Sequence, residues 1–281
     1  MKNNLATCSL LCSVLMGCGG GGTNTTTIGA TDNSVTNNQT STLLSYSPPH
    51  PAIIAPEEAD ALYIGYFLED NINNPEDPTP GSVYFSVPPS DTHVMGSMSF
   101  TYDNCQTSSS VGTLTLNKLD NHLSGSWSGT IDATQQTGSY NLIKDSATSI
   151  YTGTYINDGG KQLINNPTCT YYLAANGVSE VFPLNTTTPA TANSVNYANR
   201  EINWPNIPEA TRHLVSIINY NSLLINKNQN AIVWQGTAIT NSLVLPSSVN
   251  LLTNGSYIIS VVSFDSSQHR IYFSSKEFLI D

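Results

Sequence analysis

Positive charge is scarce in this sequence: nine lysines and arginines in 281 residues, against 20 aspartates and glutamates, for a formal net charge of -11. A chain so poor in cations repels polyanions, which excludes nucleic acid as a partner. Charge of either sign is thin, at 10% of residues. Long apolar runs are also missing; the stretch from Leu5 to Met16 is about a dozen residues, short of the roughly 20 that a membrane-spanning helix needs. The five histidines, at 50, 93, 122, 213 and 269, are scattered. No His-x-x-x-His pair, Gly-x-Ser-x-Gly elbow or phosphate-binding loop occurs. No residue is therefore nominated as catalytic, cofactor-binding or metal-binding, and the chain reads as a non-enzyme without a cofactor. Serine, threonine and asparagine are plentiful instead, and tyrosine outnumbers phenylalanine 14 to 7. That composition favours strands and turns over helices.

At the N-terminus Lys2 precedes the apolar run, which ends in Leu15-Met16-Gly17-Cys18 and then Gly19 to Gly22. A charged start, a short apolar stretch and a small residue at a cut site make a secretory signal peptide. The cysteine at the cut makes it resemble the lipobox of bacterial lipoproteins. The resemblance implies removal of residues 1–17, lipid on Cys18 and a membrane-anchored life in the bacterial cell envelope. With Gly19 rather than aspartate after the lipidated cysteine, it implies the outer rather than the inner membrane, on either the surface or the periplasmic face. Residues 18–46 are Gly, Thr, Asn and Ser with hardly a large apolar side chain, and read as a flexible tether. Four Asn-x-Ser/Thr acceptor patterns, at Asn24, Asn38, Asn185 and Asn254, are accidental in such a protein.

Cys8 and Cys12 leave with the signal and Cys18 is taken by lipid, so Cys105 and Cys169 remain. In an oxidising compartment the two are expected to pair. The loop closed would be about 64 residues, worth about 4 kcal/mol in the chain-entropy treatment. Such a bond would tie the first end of a curled sheet to its last, where exposed edges otherwise invite fraying.

The charge is unevenly spread. Ser47 to Pro189 holds 14 acidic residues against three lysines, while Ala190 to Asp281 holds five of each sign. The change marks a domain boundary near Thr186-Pro189, giving a first domain over 47–187 and a second over 190–281. In the first, residues alternate with period 2. Leu123, Gly125, Trp127, Gly129 and Ile131 share one face, opposite Ser124, Ser126, Ser128 and Thr130. Gly138, Tyr140 and Leu142 repeat the pattern, as do Tyr151, Gly153 and Tyr155, and more briefly Leu114 and Leu116. Strands so close in sequence form an antiparallel meander, and glycines alternating with aromatics let it coil into a small barrel or curled sandwich.

The second domain reads as further strands: Glu201-Ile202-Asn203-Trp204-Pro205, then His213 to Ile218, Ala231 to Trp234, Ser242 to Pro246, and Gly255 to Val262. By their order these residues resemble a fibronectin type III domain, with an Ig-like sandwich as the alternative. Trp204 matches the buried second-strand tryptophan of that family. Tyr257 matches the tyrosine whose hydroxyl ties down the corner before the penultimate strand. The resemblance implies a β-sandwich more than a function.

Three functional readings follow. The first is a non-catalytic interaction module, lipid-anchored through Cys18 and meeting an envelope protein or glycan. The second is a small-molecule or glycan binder whose first domain is lined by Trp127, Tyr140, Tyr151 and Tyr155. The third is a structural factor of the envelope. Filled interiors use such aromatics as core more often than as pocket. The segment from Glu69 to Asp77 concentrates oxygen ligands of the kind calcium prefers, but its spacing and its prolines read as a solvated loop.

Overall fold

The computed structural model describes residues 60–69, 80–100, 110–131, 134–160, 162–166, 169–221 and 231–280. These residues are all-β. Seven strands run as a meander, each antiparallel to the one before: β1 (Ala61–Glu69), β2 (Pro80–Val87), β3 (His93–Phe100), β4 (Ser110–Leu119), β5 (His122–Ile131), β6 (Thr134–Lys144) and β7 (Tyr151–Asn157). After a hairpin of β8 (Gln162–Asn166) and β9 (Cys169–Leu173), β10 (Asn176–Pro183) inserts between β7 and β1 and closes an eight-stranded barrel. Of the two architectures open to the meander, the closed barrel is the one formed. Closure leaves no free edge in it, so a Cys105–Cys169 bond would have no fraying edges to protect.

The alternation decides which residues point inward. Leu114, Leu116, Leu123, Trp127, Tyr140, Leu142, Tyr151 and Tyr155 are buried in one core with Tyr63, Phe67, Phe85, Met98 and Phe100. Rings contact rings through this interior: Phe67 meets Phe100 and Tyr155 at centroid distances of 5.0 and 5.2 Å, and Phe100 meets Trp127 at 5.6 Å. Glycine makes the room. A Cβ on Gly138 would stand 2.3 Å from the Trp127 indole nitrogen and 1.9 Å from the Ile156 carbonyl oxygen. That indole N–H donates to the same carbonyl, at 3.0 Å. Gly177 likewise lies against the Tyr155 ring, 2.2 Å from where its Cβ would be.

The rest of the chain forms β11 (Thr187–Thr188), β12 (Asn196–Ala198), β13 (Glu201–Asn203), β14 (Arg212–Asn219), β15 (Ile232–Ala238), β16 (Ser242–Val244), β17 (Ser256–Phe264) and β18 (Arg270–Leu279). A five-stranded sheet in the order β11-β18-β17-β14-β15 packs on a three-stranded sheet, β12-β13-β16. Between them lie Ile202, Trp204, Val215, Ile217, Tyr257, Ile259, Val261 and Tyr272. The Tyr257 hydroxyl accepts from the Leu252 backbone N–H at 2.8 Å.

The second face of the five-stranded sheet is covered too. Ile218, Ile232 and Ile258 pack against Leu62, Ile64 and Tyr84 of the barrel wall. Leu214, Val262, Phe264 and Phe273 pack against Tyr66, Leu68 and Phe182. Phe182 stacks on Phe273 at 3.9 Å, and Tyr66 meets Phe264 edge-on at 5.1 Å. At the seam the Ser82 and Ser216 hydroxyls share a hydrogen bond, and the Ala231 N–H donates to the Tyr84 hydroxyl at 2.6 Å. Barrel wall, five-stranded sheet and three-stranded sheet are thus three layers of one compact unit, Pro51–Asp281.

Candidate functional site

The residues singled out by sequence fall in separate places. Cys18 and Cys105 lie outside the described residues, as does the signal and tether region. Cys169 opens β9, paired in register with Asn166, and its side chain is outside the description. Of the oxygen-rich segment, Glu69 is the last residue of β1 and the rest lies outside the description. Trp127, Tyr140, Tyr151 and Tyr155 all point into the barrel and are at most 2% exposed, within its packed core. Among the described residues, no group of three or more His, Cys, Asp or Glu is placed to hold a metal.

The barrel interior is polar at one end. Glu69, Gln136 and Asn157 take inward positions of β1, β6 and β7 and are buried. The Tyr155 hydroxyl and the Ala174 backbone amide face the Glu69 carboxyl, but burial outweighs both and pushes its pKa up to about 8. Deeper in, the Tyr140 hydroxyl donates to Ser179 Oγ at 2.9 Å, and the Ser179 hydroxyl donates to the Tyr66 carbonyl at 2.7 Å. Each link satisfies a buried polar group and leaves no nucleophile aimed at a space.

The outer wall divides into two kinds of surface. Over β1, the Tyr84 region of β2 and the Phe182 end of β10 it is largely apolar and covered by the five-stranded sheet. Over β4 to β7 it is a field of hydroxyls and amides: Thr113, Thr115 and Asn117, then Ser124, Ser126 and Ser128, then Thr137, Ser139 and Asn141, then Thr152 and Thr154. Among the described outward positions of these four strands there is no Asp, Glu, Lys or Arg. Ile156 on β7 and Val178 on β10 are 50% and 55% exposed and sit diagonally across one register pair, with Ile143 on the same side. An aromatic interior under a hydroxyl-rich wall is the reverse of the lipid-facing pattern of membrane-spanning barrels.

Where barrel meets sandwich, a cleft of about 460 Å³ opens between β10 and the turn before β18. Its charged centre is a latch. Arg270 Nε donates to Glu180 Oε2 at 2.5 Å, the Tyr66 hydroxyl donates to the same oxygen at 2.7 Å, and Arg270 Nη1 donates to Thr188 Oγ1 at 3.0 Å. The guanidinium also lies over the Phe182 ring, 5.0 Å from its centroid. Burial, aided by the neighbouring Glu180 carboxylate, pushes the Tyr66 phenol far above its usual range. With its charges satisfied by each other, this centre holds the barrel wall and the five-stranded sheet together.

In the sandwich, Trp204 Nε1 donates to His213 Nδ1 at 3.1 Å, and Ser263 Oγ lies 2.7 Å from the same nitrogen. Burial pushes the His213 pKa down to about 4. An imidazole accepting two bonds on one nitrogen is a neutral core group rather than a metal ligand or a base.

The latch and the burial of Glu69 escape a reading by motif, because their partners are distant in sequence: Tyr66 and Glu180 are 114 residues apart. One signal for the covered wall was present. β1, β14 and β17 are apolar at consecutive positions, as strands buried on both faces are. No protein-family model matches the chain, and a search of curated proteins found no match.

Proposed function

We propose that this protein is a non-catalytic interaction module of the bacterial envelope, anchored by lipid on Cys18 and meeting an envelope protein or glycan through its outer surface. The observation that carries the reading is the barrel interior. Its aromatic side chains pack on one another and on glycine, so recognition falls to the outside of the molecule. The uncharged wall of β4 to β7, with Ile143 and Ile156 exposed on it and Val178 of β10 beside it, is a surface open to a partner. In the same reading the C-terminal sandwich is fibronectin type III-like, supported by buried Trp204 and by the hydroxyl of Tyr257 on the Leu252 amide. The tether of residues 18–46 lifts the folded unit clear of the lipid headgroups, by about 30 Å for a random coil of this length. The exported setting also carries the Cys105–Cys169 disulfide.

The test is protease shaving of intact cells, with the Cys18→Ser variant beside it. Surface display predicts loss of the folded unit to added protease and release of the variant from the membrane fraction. Protection until the outer membrane is opened would move the module to the periplasmic face. Unchanged partitioning of Cys18→Ser would remove the anchor. Thiol labelling of the unreduced, unfolded chain checks the disulfide, which predicts that Cys105 and Cys169 both stay unlabelled.

A further inference from the structure

Two lysines are described in the barrel, Lys118 and Lys144, and both line one pocket. Strand parity explains the convergence. Leu114 and Leu116 point inward on β4, and Tyr140 and Leu142 on β6; Lys118 and Lys144 are the next inward positions, at the barrel end opposite Glu69. There the strands run out of apolar partners, and the long side chains reach across the mouth. The pocket measures about 210 Å³, and its walls include Tyr63, Tyr151, Pro88 and Pro89. Lys144 Nζ stands 5.8 and 5.9 Å from the centroids of the Tyr63 and Tyr151 rings. Lys118 Nζ donates to the carbonyls of Pro88 and Pro89 at 3.0 and 3.4 Å. Among the described residues neither ammonium pairs with a carboxylate, although acids outnumber bases two to one along the chain. Asp120 is the single carboxylate lining the pocket, and it leaves the local balance positive.

We propose that this pocket binds one acidic sugar residue, with the sugar carboxylate between the ammonium groups of Lys118 and Lys144 and the ring against the open wall of Pro88 and Pro89. Two ammonium groups set against the one Asp120 carboxylate leave a place for a further anion. The proline wall suits the C–H face of a ring, and Asp120 and Asn121 at the rim can meet hydroxyls. A volume below the usual 300–1,000 Å³ of ligand sites suits a single residue rather than a longer oligosaccharide. The inference deepens the interaction reading by naming a ligand class at one site. It is tested on purified protein, so it stands or fails separately from the cell-shaving result.

The experiment is a calorimetric or NMR titration of the full-length chain with sodium glucuronate, glucose and inorganic phosphate, repeated for Lys144→Met and Lys118→Met. Methionine keeps the apolar stem and removes the charge; thermal melting confirms that each variant is folded. Glucuronate is expected to bind more tightly than either control, and Lys144→Met to weaken it by at least about tenfold, the loss of one charge-assisted contact. Raising the salt should weaken it further. Glucose binding as tightly as glucuronate would overturn the role of the lysines, and phosphate binding as tightly would overturn that of the ring. Undiminished glucuronate binding by a folded Lys144→Met variant would overturn the site.

Discussion

At the scale of single residues, two buried titratable groups set opposite limits on pH. Glu69 has a pKa of about 8 in the fold against 4.5 in the unfolded chain, because burial disfavours its charge. The folded protein therefore keeps a proton that the unfolded chain has released, and stability falls as pH climbs from about 4.5 towards 8. His213 works the other way. Its pKa of about 4 lies below the unfolded 6.5, so the unfolded chain takes up a proton first and stability falls as pH drops through that window. The His213 contribution is about 1–2 kcal/mol once screening by nearby solvent is allowed for. That of Glu69, fully buried, is about 2–4 kcal/mol. Urea unfolding as a function of pH should show greatest stability between about pH 5 and 6.5. Glu69→Gln keeps the shape without the charge, and should raise stability at pH 8 while leaving it near wild type at pH 5. Equal effects at both values would mean that Glu69 is not held protonated.

At the scale of the strand, the question is what each face touches. The inward faces of β5, β6 and β7 were legible from alternation alone: Trp127, Tyr140, Tyr151 and Tyr155 lie where period 2 puts them, with the serines and threonines between them outside. The closed barrel is the outcome that glycine opposite aromatic permits, as Gly138 under Trp127 illustrates. Less legible was the second covered face of β14 and β17. Alternation cannot assign sides where both neighbours of Ile258, namely Tyr257 and Ile259, are apolar as well. Ile258 lies on the barrel side of β17 and Ile259 on the sandwich side, both with no exposed surface. The latch of Tyr66, Glu180 and Arg270 was beyond reach, since it joins three strands from two bodies and has no local spacing. The pocket lysines were within reach, because Lys118 and Lys144 continue the inward parity of Leu116 and Leu142. Ile258→Asp places a charge between two apolar layers and should cost at least about 3 kcal/mol. Ser126→Asp, on the open wall of β5, should stay within about 0.5 kcal/mol of wild type. Urea midpoints for the two variants check the contrast; similar values would mean that the sandwich does not bury this face.

At the scale of the whole molecule, the packing of the barrel against the sandwich decides how the protein behaves when its chain is cut. The acidic and neutral halves of the sequence meet near Thr186-Pro189, and the chain there leaves β10 at Pro183 and enters the five-stranded sheet as β11. Few contacts depend on the covalent link itself. The bodies are joined instead by Ile64, Tyr66, Leu68 and Phe182 on one side and Leu214, Ile258, Val262 and Phe273 on the other. Each such side chain contributes about 1.5–3 kcal/mol when buried, before the cost of ordering it. The Arg270–Glu180 pair fixes the orientation, and partial exposure of both residues keeps its own contribution small. A recognition sequence for a specific protease, inserted between Leu184 and Asn185, should therefore permit cleavage without separation. The two fragments should leave a size-exclusion column together and melt in one transition, as a single rigid platform on its tether would. Adding Ile258→Asp to the cleaved protein should split the peak into two. If the cleaved protein separates without that substitution, the barrel and the sandwich are independent bodies, and partner recognition has to be sought on each alone.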